Sequence, residues 1–429
     1  MADTKVFEEL ESEVRNYCRR WPTVFSKAKG SYVYDERGRD YLDFFSGAGV
    51  LNYGHNHPHL KEALLRYVQE DSIAHSLDMY TTAKRQFLQV FRQNILSPRG
   101  LEYRVQFPGP AGTTAVEAAL KLARKFTGRQ TVISFTNGFH GMTLGALALT
   151  GHPANVPGAR AGDAVVVPYD HDHDGEAHRL LLLQRLLEDS GRDTPAAVIV
   201  ETVQGEGGMY VASPDWLHGL ARLCKSHKML LIVDDVQMGC GRTGPFFSFE
   251  HGGIYPDIVC LSKSLSGYGI PLALTLFRPE LDIWEPGEHS GTFRGPNLAF
   301  VTAVAALDFW RDGTFEKKIL DKSKQVERAV REIALECDGT IREVRGRGMA
   351  WGIAFHEAKL AREICASAFE RGLLVETSGF KRDAIKLMPP LIITAADLAE
   401  GLGMLREAIR RATPNNQVTK AAGAPAWVN

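Results

Sequence analysis

Leu230-Leu-Ile-Val-Asp-Asp-Val-Gln-Met-Gly-Cys-Gly-Arg-Thr-Gly244, followed by Asp257-Ile-Val-Cys-Leu-Ser-Lys-Ser-Leu-Ser-Gly267, is the stretch on which the fold turns. Two short apolar runs, 230–233 and 258–261, read as parallel strands, because strands covered on both faces are continuously apolar. Each run ends in polar groups: Asp234 after the first, Ser262 and Lys263 after the second. Ligands of open α/β sheets bind outside the carboxyl ends of the strands. The pattern therefore predicts a carboxylate and an amine at one rim. A lysine desolvated there is a candidate Schiff-base nucleophile, since burial lowers the pKa of an ammonium and frees its lone pair.

Outward from this pair, strand and helix patterns alternate over 82–310, as in a doubly wound sheet. Further strands are expected at 103–107, 131–135, 164–167 and 196–200, and helices at 113–126 and 216–227. Residues 1–81 form an N-terminal segment that packs with a smaller domain. It holds a helix marked by Phe7, Leu10, Val14 and Tyr17, a hairpin over 32–44 and a helix over 58–70. Residues 311–412 read as that smaller α+β domain, and the tail 413–429 as disordered.

A chain of 429 residues is too long for one simple core. Charged residues make up 24% and hydrophobic ones 44%, the balance of a soluble globular protein. Lys plus Arg is 50 against Asp plus Glu 51, so no global field favours nucleic acid or an anionic membrane. No apolar run is long enough to span a bilayer, and the mixed charges of 1–20 argue against a signal peptide. Six scattered cysteines without CxxC pairs fit free thiols in a reducing cytosol. The expected location is cytoplasmic.

Several other stretches reach the same rim. Phe107-Pro-Gly-Pro-Ala-Gly-Thr-Thr114 joins a strand to a helix, and the free N–H groups at Gly112 and Thr113 suit a phosphate. A plain turn with Thr113 as N-cap explains this stretch equally well. Phe139 and His140 follow another strand, where an aromatic ring can stack on a flat cofactor or simply pack. Val200-Glu-Thr-Val-Gln-Gly-Glu-Gly-Gly208 places Glu201 and Glu206 in a glycine-rich loop. Asp234 at a buried strand end requires a partner, either a protonated ring nitrogen or the helix that it caps. His171, His173 and His178 match no standard zinc spacing and read as a hydrated loop, so no metal site is expected.

The succession Gly-Thr at a helix start, Phe-His-Gly, Glu-x-x-Gln-Gly-Glu-Gly-Gly, Asp-x-x-Gln, Ser-Lys and Gly-Thr-Phe-x-Gly resembles the class III, or ω-, aminotransferases of pyridoxal-phosphate fold type I. The resemblance runs from Gly30 to about Ala412. It implies an α/β fold, with a large mixed-to-parallel sheet domain and a smaller α+β domain. It also implies pyridoxal 5′-phosphate as cofactor, bound covalently by Lys263, with Asp234 on the pyridine nitrogen. Gln237 would reach the phenolic oxygen, Phe139 would stack on the ring beside His140 and Glu201, and Gly112 and Thr113 would hold the phosphate. Thr292 would reach the phosphate of a partner subunit, which implies a homo-oligomer with a dimer as minimal unit. A monovalent cation for activity or assembly is a further expectation. Substrates would be amino acids and oxo acids, exchanged by ping-pong transfer.

Three positions depart from the wider family. Met142 stands where an arginine often follows Phe-His-Gly, Lys386 where an arginine often precedes Pro-Pro-Leu, and Arg294 where a small residue is usual. Glu206, Lys386 and Arg294 are the expected substrate contacts, with Arg294 compensating for Met142. These departures, with the N-terminal Leu10-Glu-Ser-Glu-Val-Arg15 and the run Phe44-Phe-Ser-Gly-Ala-Gly-Val-Leu-Asn-Tyr-Gly-His55, resemble the family branch that aminates L-aspartate 4-semialdehyde with L-glutamate, giving L-2,4-diaminobutyrate on the way to ectoine. Rival readings are an ω-aminotransferase of ornithine, 4-aminobutyrate or siderophore diaminobutyrate, an aminomutase, and a non-catalytic binding protein on the same scaffold.

Overall fold

The computed structural model describes residues 4–151, 163–170, 176–189, 193–337 and 339–413. His171, His173 and the expected tail beyond Thr413 lie outside these residues. The centre is a seven-stranded sheet of β1 (Arg104–Gln106), β2 (Val132–Phe135), β3 (Ala164–Val167), β4 (Ala197–Val200), β5 (Leu230–Asp234), β6 (Ile258–Leu261) and β7 (Leu274–Phe277). Its spatial order is β1-β7-β6-β5-β4-β2-β3. Strands β2 to β6 run parallel, with Val233 opposite Val200 and Ile232 opposite Ile258. Every residue of β2, β4, β5 and β6 is buried, which is why these runs lack polar alternation. Burying each Val or Ile here stabilises the fold by roughly 1.5–3 kcal/mol.

Strand β7, absent from the sequence reading, runs antiparallel to both β6 and β1, so the sheet is mixed. The connection from β6 holds only a 3-10 turn, Lys263–Ser266, and no crossover helix. An antiparallel return is what such a connection allows. The helix Gly112–Thr127 packs an alanine-rich face, including Ala115, Ala119 and Ala123, against β6 and β7.

Strands Phe25–Lys29, Tyr32–Asp35 and Asp40–Asp43 form a sheet with Leu373–Leu374, which pairs parallel to Asp40–Asp43. A second antiparallel sheet holds Ile341–Arg347, Ala350–Phe355, Ala384–Leu387 and Glu376–Ser378 in that order. One apolar cluster runs from Leu42 and Phe44 through Val233 and Leu261 to Leu405 and Ile409, tying these parts together. The N-terminal helix differs from expectation. It ends at Leu10, buries no residue, and leaves Val14 beyond it 87% exposed. Six residues cannot carry an apolar stripe as far as Tyr17.

Candidate active site

Strands β6, β5, β4 and β2 are consecutive in the sheet and parallel, so their C-terminal ends share one rim. They deliver Lys263, Asp234, Glu201 and, after β2, Phe139 and His140. The loop after β1 adds Gly112 and Thr113, and Glu206 and Gln237 complete the same pocket.

Lys263 has a left-handed backbone, φ 50°. For a non-glycine residue this costs of order 1–3 kcal/mol, and such strain is concentrated at functional sites. Ser264 fixes the turn: its Oγ donates to Gly49 O at 2.7 Å and accepts from Asn52 N–H at 3.2 Å. Burial lowers the pKa of Lys263, aided by the charge of Lys386; the carboxylates of Glu206, Asp234 and Glu201 oppose that shift.

Asp234 is 7% exposed. Its Oδ2 lies 2.8 Å from His140 Nδ1, and its Oδ1 accepts from Val236 N–H at 3.2 Å. A turn rather than a helix follows it, so the helix-cap alternative falls away. A carboxylate has roughly four lone-pair positions, and room remains for a protonated ring nitrogen. His140 thereby gains a definite place, as the group that orients Asp234. Glu201 accepts from Phe139 N–H at 2.9 Å. Burial, together with the Asp234 charge, holds its carboxyl well above the usual range.

Glu206 sits among donors. Its Oε1 lies 2.6 Å from Lys386 Nζ and 2.9 Å from Gln237 Nε2. Burial alone would raise this carboxyl, but the charges of Lys386 and Lys263 and these two hydrogen bonds bring it down to about 2. Lys386, itself 1% exposed, is held charged against burial by Glu206 and Glu376. Gln237 Nε2 also donates to Ala48 O at 3.0 Å. Its buried Oε1 has no partner among the described residues.

The phosphate cradle is sterically specified. Ala111 is the N-cap of the helix and Thr113 lies in its first turn, which corrects the reading of Thr113 as the cap. The N–H groups of Gly112 and Thr113 therefore have no carbonyl of their own helix to meet. Thr113 Oγ1 is 2.6 Å from Thr143 Oγ1. Gly141, at φ 129°, comes so close that a Cβ would sit 2.4 Å from Thr113 Oγ1. A free N–H pair at a helix start, a buried carboxylate, a lysine of lowered pKa and an unpartnered amide oxygen line one pocket, and together they fit pyridoxal 5′-phosphate.

Two expected site residues stand elsewhere. Thr292, expected at the phosphate of a partner subunit, is exposed and lies outside the pocket of its own chain. Arg294 donates from Nε to Phe107 O at 3.1 Å and faces Asp78 at 3.5 Å, so its guanidinium is not brought to the Lys263 pocket of its own chain. Glu376 and Arg20, which extend the Lys386 cluster, were not foreseen. The only signal for Glu376 was a charge directly after the apolar run 373–375. Among the described residues no cluster of His, Cys, Asp and Glu could hold a metal ion, and no helix is long and apolar enough to cross a membrane.

Fold and site define a pyridoxal-phosphate enzyme of fold type I. The model of the class III aminotransferase family matches residues 15–409, and the chain belongs to that family. A relative from Streptomyces avermitilis, diaminobutyrate–2-oxoglutarate transaminase, is 58% identical over 95% of this chain and 98% of its own. The enzyme of that name from Nocardia farcinica is 58% identical over 95% of this chain and 94% of its own. Among solved structures, an ornithine aminotransferase from Toxoplasma gondii superposes with TM-score 0.83 at 26% identity, covering 95% of this chain and 93% of its own.

Proposed function

We propose that this enzyme transfers the amino group of L-glutamate to L-aspartate 4-semialdehyde, giving 2-oxoglutarate and L-2,4-diaminobutyrate. The observation that carries this reading is the 58% identity, end to end, to a relative named for diaminobutyrate and 2-oxoglutarate, against 26% to an ornithine aminotransferase. An oxo acid in that relative's name also favours transamination over an aminomutase. The same resemblance supports a place on the route to ectoine, a compatible solute made under osmotic stress. It further supports a cytoplasmic location, a homodimer as minimal unit and a monovalent cation as accessory.

Bound pyridoxal 5′-phosphate supplies an electron-accepting ring and a carbon that carries the amino group between substrates. Asp234, oriented by His140, would face the ring nitrogen and hold positive charge there. The N–H groups of Gly112 and Thr113 would anchor its phosphate. Lys263 Nζ, its pKa lowered by burial, takes a proton from the substrate carbon and delivers one as general acid. Lys386 receives a substrate carboxylate when Glu206 gives way. As a point charge it lacks the bidentate fork of arginine.

A coupled assay of glutamate with aspartate 4-semialdehyde tests the reaction. Wild type turns over and Lys263→Ala does not, although it still folds. Faster turnover of ornithine or 4-aminobutyrate than of diaminobutyrate in a donor screen would refute the assignment.

A further inference from the structure

Lys386 stands between two carboxylates. Its Nζ is 2.6 Å from Glu206 Oε1 and 2.8 Å from Glu376 Oε1. The other oxygen of Glu376, Oε2, is 2.8 Å from Arg20 Nη1. Glu376 and Lys386 face each other across an antiparallel strand pair, so the backbone sets their separation. Arg20 arrives from the N-terminal segment, where its guanidinium also lies 5.4 Å from the centre of the Tyr17 ring. The side chains of Lys386, Glu376 and Arg20 are 1%, 2% and 22% exposed. A buried chain of ions is weak evidence for stability, since desolvation offsets its attraction. Its role is better sought at its open end, Glu206, which lines the pocket.

Two carboxylates and two cations sum to zero. Without Arg20 the cluster would carry a net negative charge, and an arriving carboxylate would meet two carboxylates already sharing one ammonium. With Arg20 on Glu376, Lys386 can exchange Glu206 for a carboxylate of the substrate. We propose that Arg20 is a positioning residue for dicarboxylate selectivity: by taking Glu376 as its own counter-ion, it leaves Lys386 free to bind a carboxylate of L-glutamate and 2-oxoglutarate. This rests on the reaction proposed above. In that reaction the amine-bearing carbon of glutamate carries a carboxylate, and the 4-carbon of diaminobutyrate does not.

The test compares Arg20→Met, Arg20→Lys and the double variant Arg20→Met/Glu376→Gln, all as holoenzyme. Losing one charge-assisted contact predicts that Arg20→Met raises the KM for glutamate and 2-oxoglutarate about tenfold. The dissociation constant of glutarate, an unreactive dicarboxylate, rises in parallel. The KM for diaminobutyrate and the kcat stay within about twofold, because neither uses the freed ammonium. Arg20→Lys keeps most of the wild-type selectivity. The double variant restores neutrality and recovers glutarate binding, whereas a merely structural role for Arg20 makes it no better than Arg20→Met. Equal shifts for both substrate pairs, or no recovery in the double variant, overturn the inference. Should the wild type fail to aminate the semialdehyde, the reaction assignment is lost; glutarate calorimetry, which needs no turnover, then decides the role of Arg20 alone.

Discussion

Asp234 and Asp235 are neighbours in the chain with different surroundings. Asp234 meets His140, whereas Asp235, 1% exposed, accepts from Ser248 N–H at 3.0 Å and leaves Oδ1 without a partner among the described residues. Burial pushes the Asp235 carboxyl from 3.8 up to about 7. A carboxyl whose folded pKa is raised binds an extra proton in the native state between those two values. Its contribution to stability is therefore present below the unfolded pKa and is lost as pH rises through the folded one. Asp235→Asn keeps an acceptor for Ser248 and removes the titration. The melting temperature of the variant, relative to wild type, should be higher at pH 8 than at pH 5; an unchanged gap would contradict this linkage. Asp234→Asn keeps the shape but removes the charge facing the ring, and kcat should fall about 10²–10³-fold, as when one preorganised electrostatic contact is lost. Lys263, Asp234 and Glu206 were legible in the sequence because each ends or follows an apolar run in a recognisable succession. Arg20 and Glu376 were not, because 356 residues separate them and only strand register and tertiary packing bring them together.

Elements position these residues through close backbone approach, and the loop after β4 is the clearest case. A Cβ on Gly205 would sit 1.8 Å from Gln237 Oε1, while one on Gly207 would sit 2.0 Å from the backbone oxygen of Asn137. The first obstacle is the far end of a flexible side chain and the second is main chain. Gly205→Ala should fold with little loss of stability while displacing Gln237, so that cofactor affinity falls more than melting temperature. Gly207→Ala should destabilise the fold itself by about 1–3 kcal/mol, as overpacking does. Paired denaturant and cofactor titrations separate the two; equal stability losses would remove the distinction. Most of the central sheet could be read from its apolar runs. The run 272–277 that holds β7 is as apolar as the others; what lies beyond the sequence pattern is its antiparallel direction, which depends on how the turn after Lys263 returns. Periodicity carries no such information.

At the scale of the molecule, the pocket has nearly all of its parts on one chain, with Thr292 left outside. Its neighbour Phe293 is 64% exposed against His75, with ring centres 5.4 Å apart, and Met79 nearby in sequence to His75 is 59% exposed. Exposed apolar side chains of this size suit an interface. The proposed dimer puts Thr292 on the partner subunit's phosphate, which makes a complementation experiment decisive. The Lys263→Ala homodimer lacks the essential amine. The Thr292→Val homodimer should bind pyridoxal 5′-phosphate about tenfold more weakly, one lost hydrogen bond to a charged group being sufficient. A hybrid with Lys263→Ala on one protomer and Thr292→Val on the other then rebuilds one whole site, because the amine of one chain meets the threonine of its partner. Co-expression with two affinity tags isolates that hybrid. It should show about half of the wild-type activity, with wild-type cofactor affinity at the competent site. If Thr292 instead served its own protomer, the only chain keeping Lys263 would also carry the defective threonine, and the hybrid would show the weak cofactor binding of the Thr292→Val homodimer.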